Sequence, residues 1–219
     1  MSTSPGGKPI IAIDGPAGAG KSTLAASLAA RLGLDRLDTG AMYRAVAFAA
    51  LRHGVDPSDA QAVADVARRV HIDLGPLVHV DGIDATEELR GPGVTKVVSA
   101  VAANPEVRRE LVRRQRAWVE AHGGGVIEGR DIATVVLPGA DLKIYVTASE
   151  SERARRRALE AEATAHDLDP SVVAADLARR DHLDSTRQSS PLAVAEGAVI
   201  VDTTDRSVEE IVEEVLTRL

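Results

Sequence analysis

Five short apolar runs punctuate the chain, at Ile10–Asp14, Arg36–Asp38, Val126–Glu128, Leu142–Val146 and Val199–Asp202. Each is too short for a helix and is flanked by turn-forming residues, the signature of a buried strand. The stretches between them carry helical spacing. Ser22 to Leu32 repeats Leu24, Leu28 and Leu32 on one face and meets Gly33, a natural stop. Ala41 to His53 stops at Gly54. Asn104-Pro105 opens a helix with Asn as cap and Pro in the first helical position, and Val107, Leu111 and Trp118 share one of its sides. Ser149 with Glu152, and Ser207 with Glu210, have capping-box spacing and open two more. Asp169-Pro170 opens another. Strands alternating with helices predict an α/β fold around a five-stranded parallel sheet.

One segment breaks the alternation. From Val70 to Ala85 the apolar positions recur every second residue, at Ile72, Leu74, Val78 and Val80, with turns at Gly75-Pro76 and Asp81-Gly82. This predicts a small antiparallel insert over 56–103, with helices around Pro57–Arg69 and Val94–Ala103. The surrounding core is then 9–55 and 104–219. Residues 1–8 are rich in Ser, Gly and Pro, lack the apolar stretch of a signal peptide, and are expected to be a disordered tail. No run of about 18 apolar residues is present, so no membrane span is expected. The protein is expected to be cytoplasmic.

The first strand leads into Gly15-Pro16-Ala17-Gly18-Ala19-Gly20-Lys21-Ser22-Thr23, which matches G-x-x-x-x-G-K-[ST] between a strand and a helix. The glycines permit backbone conformations in which successive N–H groups converge on phosphate oxygens. The following helix adds its positive end. Lys21 reaches the β- and γ-phosphates, and the Ser22 hydroxyl is the candidate ligand for Mg²⁺ bound with ATP. The loop implies a nucleoside triphosphate without fixing the reaction. A guanine-reading Asn-Lys-x-Asp is absent, which argues against a GTPase. Val126-Ile127-Glu128 is the nearest approach to a motor's acidic strand end, but Gly129-Arg130-Asp131 follows it. A kinase acting on a small acceptor fits best.

Composition narrows this further. The chain has 219 residues, no cysteine and a net charge of −7. Disulfide frameworks and cysteine-ligated metals are excluded. None of the six histidines pairs at helical ligand spacing. An acidic total disfavours nucleic-acid partners. Yet 22 of the 26 basic residues are arginines, the residue suited to bidentate grip on phosphate. Codon bias accounts for their number more readily than for their placement. Arg44 and Arg130 follow strands, at the sheet edge where ligands bind in open α/β folds. Arg108 lies in the first turn of the Asn104-Pro105 helix. Arg153, Arg155, Arg156 and Arg157 cluster after the fourth strand, and Arg180 and Arg187 bracket Asp184. Joining a triphosphate to a monophosphate brings two polyanions together, so cations must surround the junction. Arg109, Arg113, Arg114 and Arg116 read instead as the solvated face of an amphipathic helix. Arg155 fits either role. Tyr43, beside Arg44, is placed to stack on a base or touch a phosphate.

Four blocks together resemble the bacterial cytidylate kinases: Ile13 to Thr23, Asp38-Thr39-Gly40-Ala41-Met42-Tyr43-Arg44, Gly129-Arg130-Asp131, and Arg180 through Asp184 to Arg187. The resemblance runs from about Pro9 to Leu219 and implies a three-layer P-loop kinase fold. The antiparallel insert resembles that family's enlarged monophosphate-binding domain. The implied reaction is transfer of the γ-phosphoryl of ATP to CMP or dCMP, with Mg²⁺; other acceptors such as UMP or AMP, or a nucleotide-hydrolysing switch, are the alternatives. By motif, Gly15, Pro16, Ala17, Gly18, Ala19, Gly20, Lys21, Ser22 and Thr23 would hold the donor. Thr39, Tyr43, Arg44, Arg130 and Arg187 would surround CMP, and Ser99, Arg108 and Asp131 would read cytosine. Arg180 and Asp184 would lie toward the pentose. Arg156 and Arg157 would close over the transferring group near a helical lid spanning about 149–180. Lys21, Arg130, Arg156, Arg157 and Arg187 are then the catalytic set. Glu128 and Ala133 depart from the family's usual Asp and Gly. Such a kinase completes its site alone and is expected to be a monomer.

Overall fold

The computed structural model describes residues 7–163, 170–187 and 190–219. The expected tail therefore lies outside the described residues except for Gly7 and Lys8; the Lys8 ammonium donates to Asp35 at 2.8 Å. Asp169, expected to open a helix, also lies outside them. Two compact units are present, Met1–Leu37 with Val119–Leu219, and Asp38–Trp118.

The first unit holds a five-stranded parallel sheet in the order β2-β6-β1-β7-β8. Its strands are β1 (Ile10–Asp14), β2 (Arg36–Asp38), β6 (Gly125–Glu128), β7 (Leu142–Thr147) and β8 (Val199–Asp202). β1 is central, with Ile11 opposite both Val126 and Leu142. Ile11, Ile13, Val126, Ile144, Val146 and Val201 form one apolar face. It is covered by Leu24, Ala25 and Leu28 of α1 (Lys21–Leu32) and by Ile211, Val212 and Val215 of α8 (Val208–Leu216). The predicted five parallel strands are the ones found.

Helix ends follow the local chemistry. Gly33 terminates α1 in the left-handed conformation at φ 64°. Ser207 and Glu210 form a complete capping box on α8, a contribution of about 1 kcal/mol. The box expected at Ser149 forms only by half. The Ser149 hydroxyl accepts from the Glu152 N–H, but the Glu152 carboxylate turns to Arg155 and Arg156, and the Ser149 N–H donates to Thr204. Two charged donors outcompete one backbone N–H. This is the start of α6 (Glu150–Ala163); α7 (Pro170–Thr186) follows.

The second unit contains α2 (Thr39–Arg52), α3 (Ala60–Arg69), the antiparallel strands β3 (Ile72–Leu74), β4 (Val78–Val80) and β5 (Ile83–Asp84), and α4 (Pro92–Ala103). It also takes in most of α5 (Pro105–His122). The segment 56–103 falls inside it. Asp38 caps α2 by accepting from the Ala41 N–H, so that helix starts two residues before the predicted Ala41. Asp81 and Gly82 both adopt positive φ between β4 and β5, at 51° and 79°. That is the backbone a two-residue hairpin turn demands. α2 packs on α3 and α4.

One arginine contradicts the predicted solvated face of α5. Arg113 is exposed and pairs with Glu110. Arg114 is instead half-buried and donates to the carbonyls of Val70, Ala67 and Arg68. Those carbonyls lie at the end of α3, where a helix has no acceptor partners of its own. Arg114→Met should therefore destabilise the protein by about 1–3 kcal/mol in urea unfolding. Arg113→Met should stay within about 0.5 kcal/mol. Equal effects would remove the capping role.

Candidate active site

The phosphate loop leaves β1 through a constriction. Gly15 has φ 147°, and a Cβ there would sit 2.1 Å from the Val146 carbonyl oxygen on β7. Only glycine fits. Gly18 and Gly20 are left-handed, at φ 75° and 87°. Gly20 precedes α1 and offers no side-chain cap, so the first N–H groups of that helix remain available to an anion. The buried Lys21 ammonium donates to the Pro16 carbonyl at 2.6 Å. Burial and the neighbouring Arg130 push its pKa down to about 7, against the opposing pull of Glu128, Asp14 and Asp184.

Carboxylates stand at two strand ends beside the loop. The Ser22 hydroxyl donates to Glu128 at 2.6 Å, and Arg36 donates weakly to the other Glu128 oxygen at 3.4 Å. A hydroxyl and a carboxylate at this separation are hard oxygen donors of the kind Mg²⁺ selects. Asp14 is 2% exposed and accepts from the N–H groups of Ile132 and Ala133, each at 2.8 Å. Burial raises its pKa to about 6 despite those two bonds. Its carboxylate caps a wide turn over 132–136, in which the Val136 N–H reaches back five residues to Asp131. Asp14 thereby fixes the Gly129-Arg130-Asp131 segment just before that turn.

Arg130, Asp131, Arg180, Asp184 and Arg187 come together. The Arg130 Nε donates to Asp184 at 2.9 Å. Arg187 reaches Asp131 at 3.4 Å and the second Asp184 oxygen at 3.8 Å, and donates to the Ser190 carbonyl at 2.6 Å. Arg180 is 7% exposed, and its Nε has no hydrogen-bond partner among the described residues. Burial, then Arg130 and Arg157, lower its pKa, while Asp184 and Asp176 oppose this. Arg157 therefore belongs to this group. Arg156 does not point the same way: it pairs with Glu152 at 2.7 Å and donates to the Thr203 hydroxyl and carbonyl at 2.9 and 2.8 Å. Its guanidinium lies beside Gly20. Arg155 pairs with Glu152 on the surface.

The remaining candidates belong to the second unit. Thr39 and Tyr43 are buried on α2, and the Arg108 guanidinium sits 5.6 Å from the centre of the Tyr43 ring. That is cation–π range. Arg108 also donates to Ala102 at 3.4 Å, one turn beyond Ser99 on α4. Arg44 donates to the Leu89 carbonyl at 3.3 Å.

Asp14 carries no role in the sequence motifs, and Glu128 stands there as the nearest approach to a motor's acidic strand end and as a departure from the family's usual Asp. Both are acidic residues at the ligand edge of a parallel sheet, and that position was the available signal.

The depressed Lys21 pKa has a measurable consequence. Above pH 7 the free enzyme holds Lys21 largely uncharged, whereas bound phosphates favour the charged form. Nucleotide binding should thus take up a proton, and affinity should weaken as pH rises from 7 to 9. Calorimetry at pH 8 in buffers of different ionisation enthalpy should show uptake approaching one proton, lost in Lys21→Met. Unchanged uptake in that variant would rule out Lys21 as the group responsible.

Comparison with known proteins bears on this geometry. Residues 11–219 match the family described as cytidylate kinase. A cytidylate kinase of Desulfitobacterium hafniense is 50% identical over 211 residues, spanning 94% of this chain and 90% of its own. One of Mycolicibacterium paratuberculosis is 48% identical over 209 residues, spanning 93% and 92%. Among solved structures, a gluconokinase from Sinorhizobium meliloti aligns with TM-score 0.50 at 15% identity, over 95% of this chain and 90% of its own. An uncharacterized protein from Eubacterium ventriosum aligns at 0.55 and 12%, over 96% and 97%. At such identities the structures speak for the fold alone. The sequence match covers nearly the whole chain, and the chain belongs to the cytidylate kinase family.

Proposed function

We propose that the protein transfers the γ-phosphoryl group of ATP to CMP or dCMP. The observation that carries this reading is the group formed by the buried Arg180 with the half-buried Arg130 and Arg157, of which Arg130 also lies beside Lys21. Cations held this close repel one another, and a polyanion at the junction reverses the sign of that interaction. Membership of the cytidylate kinase family supports CMP as the acceptor.

The acceptor is already an anionic phosphate, so no side chain needs to act as a strong base. Gly15 to Thr23 hold the donor phosphates, and Lys21 exchanges the Pro16 carbonyl for phosphate oxygen. Arg44, Arg130 and Arg187 grip the acceptor phosphate, with Thr39 and Tyr43 alongside. Arg180 and Asp184 serve the pentose end. Ser99, Arg108 and Asp131 read cytosine, a carboxylate accepting from N4 while a guanidinium donates to N3 or O2. Arg156, beside Gly20, and Arg157, near Arg180, close over the transferring group. Ser22 and Glu128 would hold Mg²⁺, which when bound polarises and partly neutralises the donor phosphates. Working on dissolved nucleotides, the enzyme acts as a cytoplasmic monomer.

ADP release should be measured with ATP, Mg²⁺ and each nucleoside monophosphate in turn. CMP and dCMP should dominate. Equal turnover of AMP or GMP would overturn the specificity, and hydrolysis without an acceptor would overturn the transfer reaction. Asp131→Ala should raise KM for CMP by about tenfold or more while leaving KM for ATP within about twofold. Glu128→Gln should raise the Mg²⁺ needed for half-maximal rate by about tenfold. Its metal-free nucleotide affinity, read by calorimetry in EDTA, should not change; an unchanged Mg²⁺ requirement would remove Glu128 from the metal site.

A further inference from the structure

Ala17 stands at the crest of the phosphate loop and is held from two helices. Its N–H donates to Asp181 of α7 at 3.2 Å, and its carbonyl accepts from Arg153 of α6 at 3.3 Å. Arg153 and Asp181 are also paired directly with each other. Both side chains are largely shielded from water, at 10% and 19% exposure. Apolar packing backs the polar contact: the Ala17 methyl meets Leu177 of α7 and Ala154 of α6. Gly18 completes it, because a Cβ there would lie 2.9 Å from the Arg153 carbonyl oxygen.

We propose that Arg153 and Asp181 are positioning residues for phosphoryl transfer, an ion pair that straps the loop's crest to both helices. The proposal rests on the reading that the loop holds ATP. Two consequences follow from the geometry. First, the contact fixes the rotation of α7. Successive helical residues turn by about 100°, so seating Asp181 on Ala17 sets the directions of Arg180 and Asp184 on the same helix. Neither Arg153 nor Asp181 need touch a substrate to do this. Second, Asp181 is a carboxylate set against a loop that receives a polyphosphate. Alone it would repel the donor; paired with Arg153 it does not. Breaking the pair from the arginine side leaves a shielded negative charge without its partner.

This asymmetry separates the proposal from a purely structural role. Arg153→Met should raise KM for ATP by about tenfold or more and lower kcat. Arg153→Lys, which keeps the charge, should remain within about threefold of the parent. Asp181→Asn retains an oxygen for the Ala17 N–H and removes the charge. Added to Arg153→Met, it should restore KM for ATP to within about threefold of the parent value. A structural role alone predicts the reverse: the double variant would be at least as impaired as either single one, with thermal stability falling in step. That result, or an unchanged KM for ATP in Arg153→Met, would overturn the proposal. Lys21→Ala, assayed in parallel, tests the underlying reading separately. If it abolishes transfer while Arg153→Met has no effect on ATP, only the positioning role fails; if it remains active, the loop assignment itself fails.

Discussion

Like charges in a partly dehydrated setting repel strongly, and Arg130 lies close enough to perturb both Lys21 and Arg180, as Arg157 perturbs Arg180. The rest of the first unit is arranged around holding them. Asp184 takes Arg130, Asp131 takes Arg187, and Arg153 pairs with Asp181. These carboxylates keep their cations aligned, while the Nε of the buried Arg180 has no hydrogen-bond partner among the described residues. On the proposed reading, cations fixed in place before a ligand arrives supply the electrostatic preorganisation of phosphoryl transfer.

Backbone constraints give that charge cluster its position. Gly15 threads past Val146 where no side chain fits. Asp14, one residue earlier, reaches across to Ile132 and Ala133. One strand end thus determines both the donor loop and the turn that follows Arg130 and Asp131. Ala133, which departs from the family's usual glycine, contributes its N–H to this contact, so the substitution costs nothing at that bond.

The strands, the phosphate loop and the Ser207 capping box were legible because each depends on residues adjacent in sequence. The cluster of Arg130, Arg180, Asp184 and Arg187 was legible through its motifs, which record the outcome of folding without explaining it. Features that depend on distant partners were not legible. Arg114 looked like any other arginine of an amphipathic helix until the end of α3 was placed beside it. Glu152 had the spacing of a capping residue, but Arg155 and Arg156 were the stronger partners. The Arg153–Asp181 contact joins residues 28 positions apart to a third site in the loop. No local pattern encodes such a meeting.

The missing side-chain cap on α1 reaches beyond catalysis. Side chains cap α2, α3 and α8; α1, at the phosphate loop, has no such cap. On the reading that the loop holds ATP, the nucleotide is a non-covalent part of the folded protein. At one hundred times its dissociation constant, a ligand bound only by the native state adds about 2.7 kcal/mol to stability. On that reading, the resistance of this chain to unfolding and proteolysis would rise with the concentration of the nucleotide it holds.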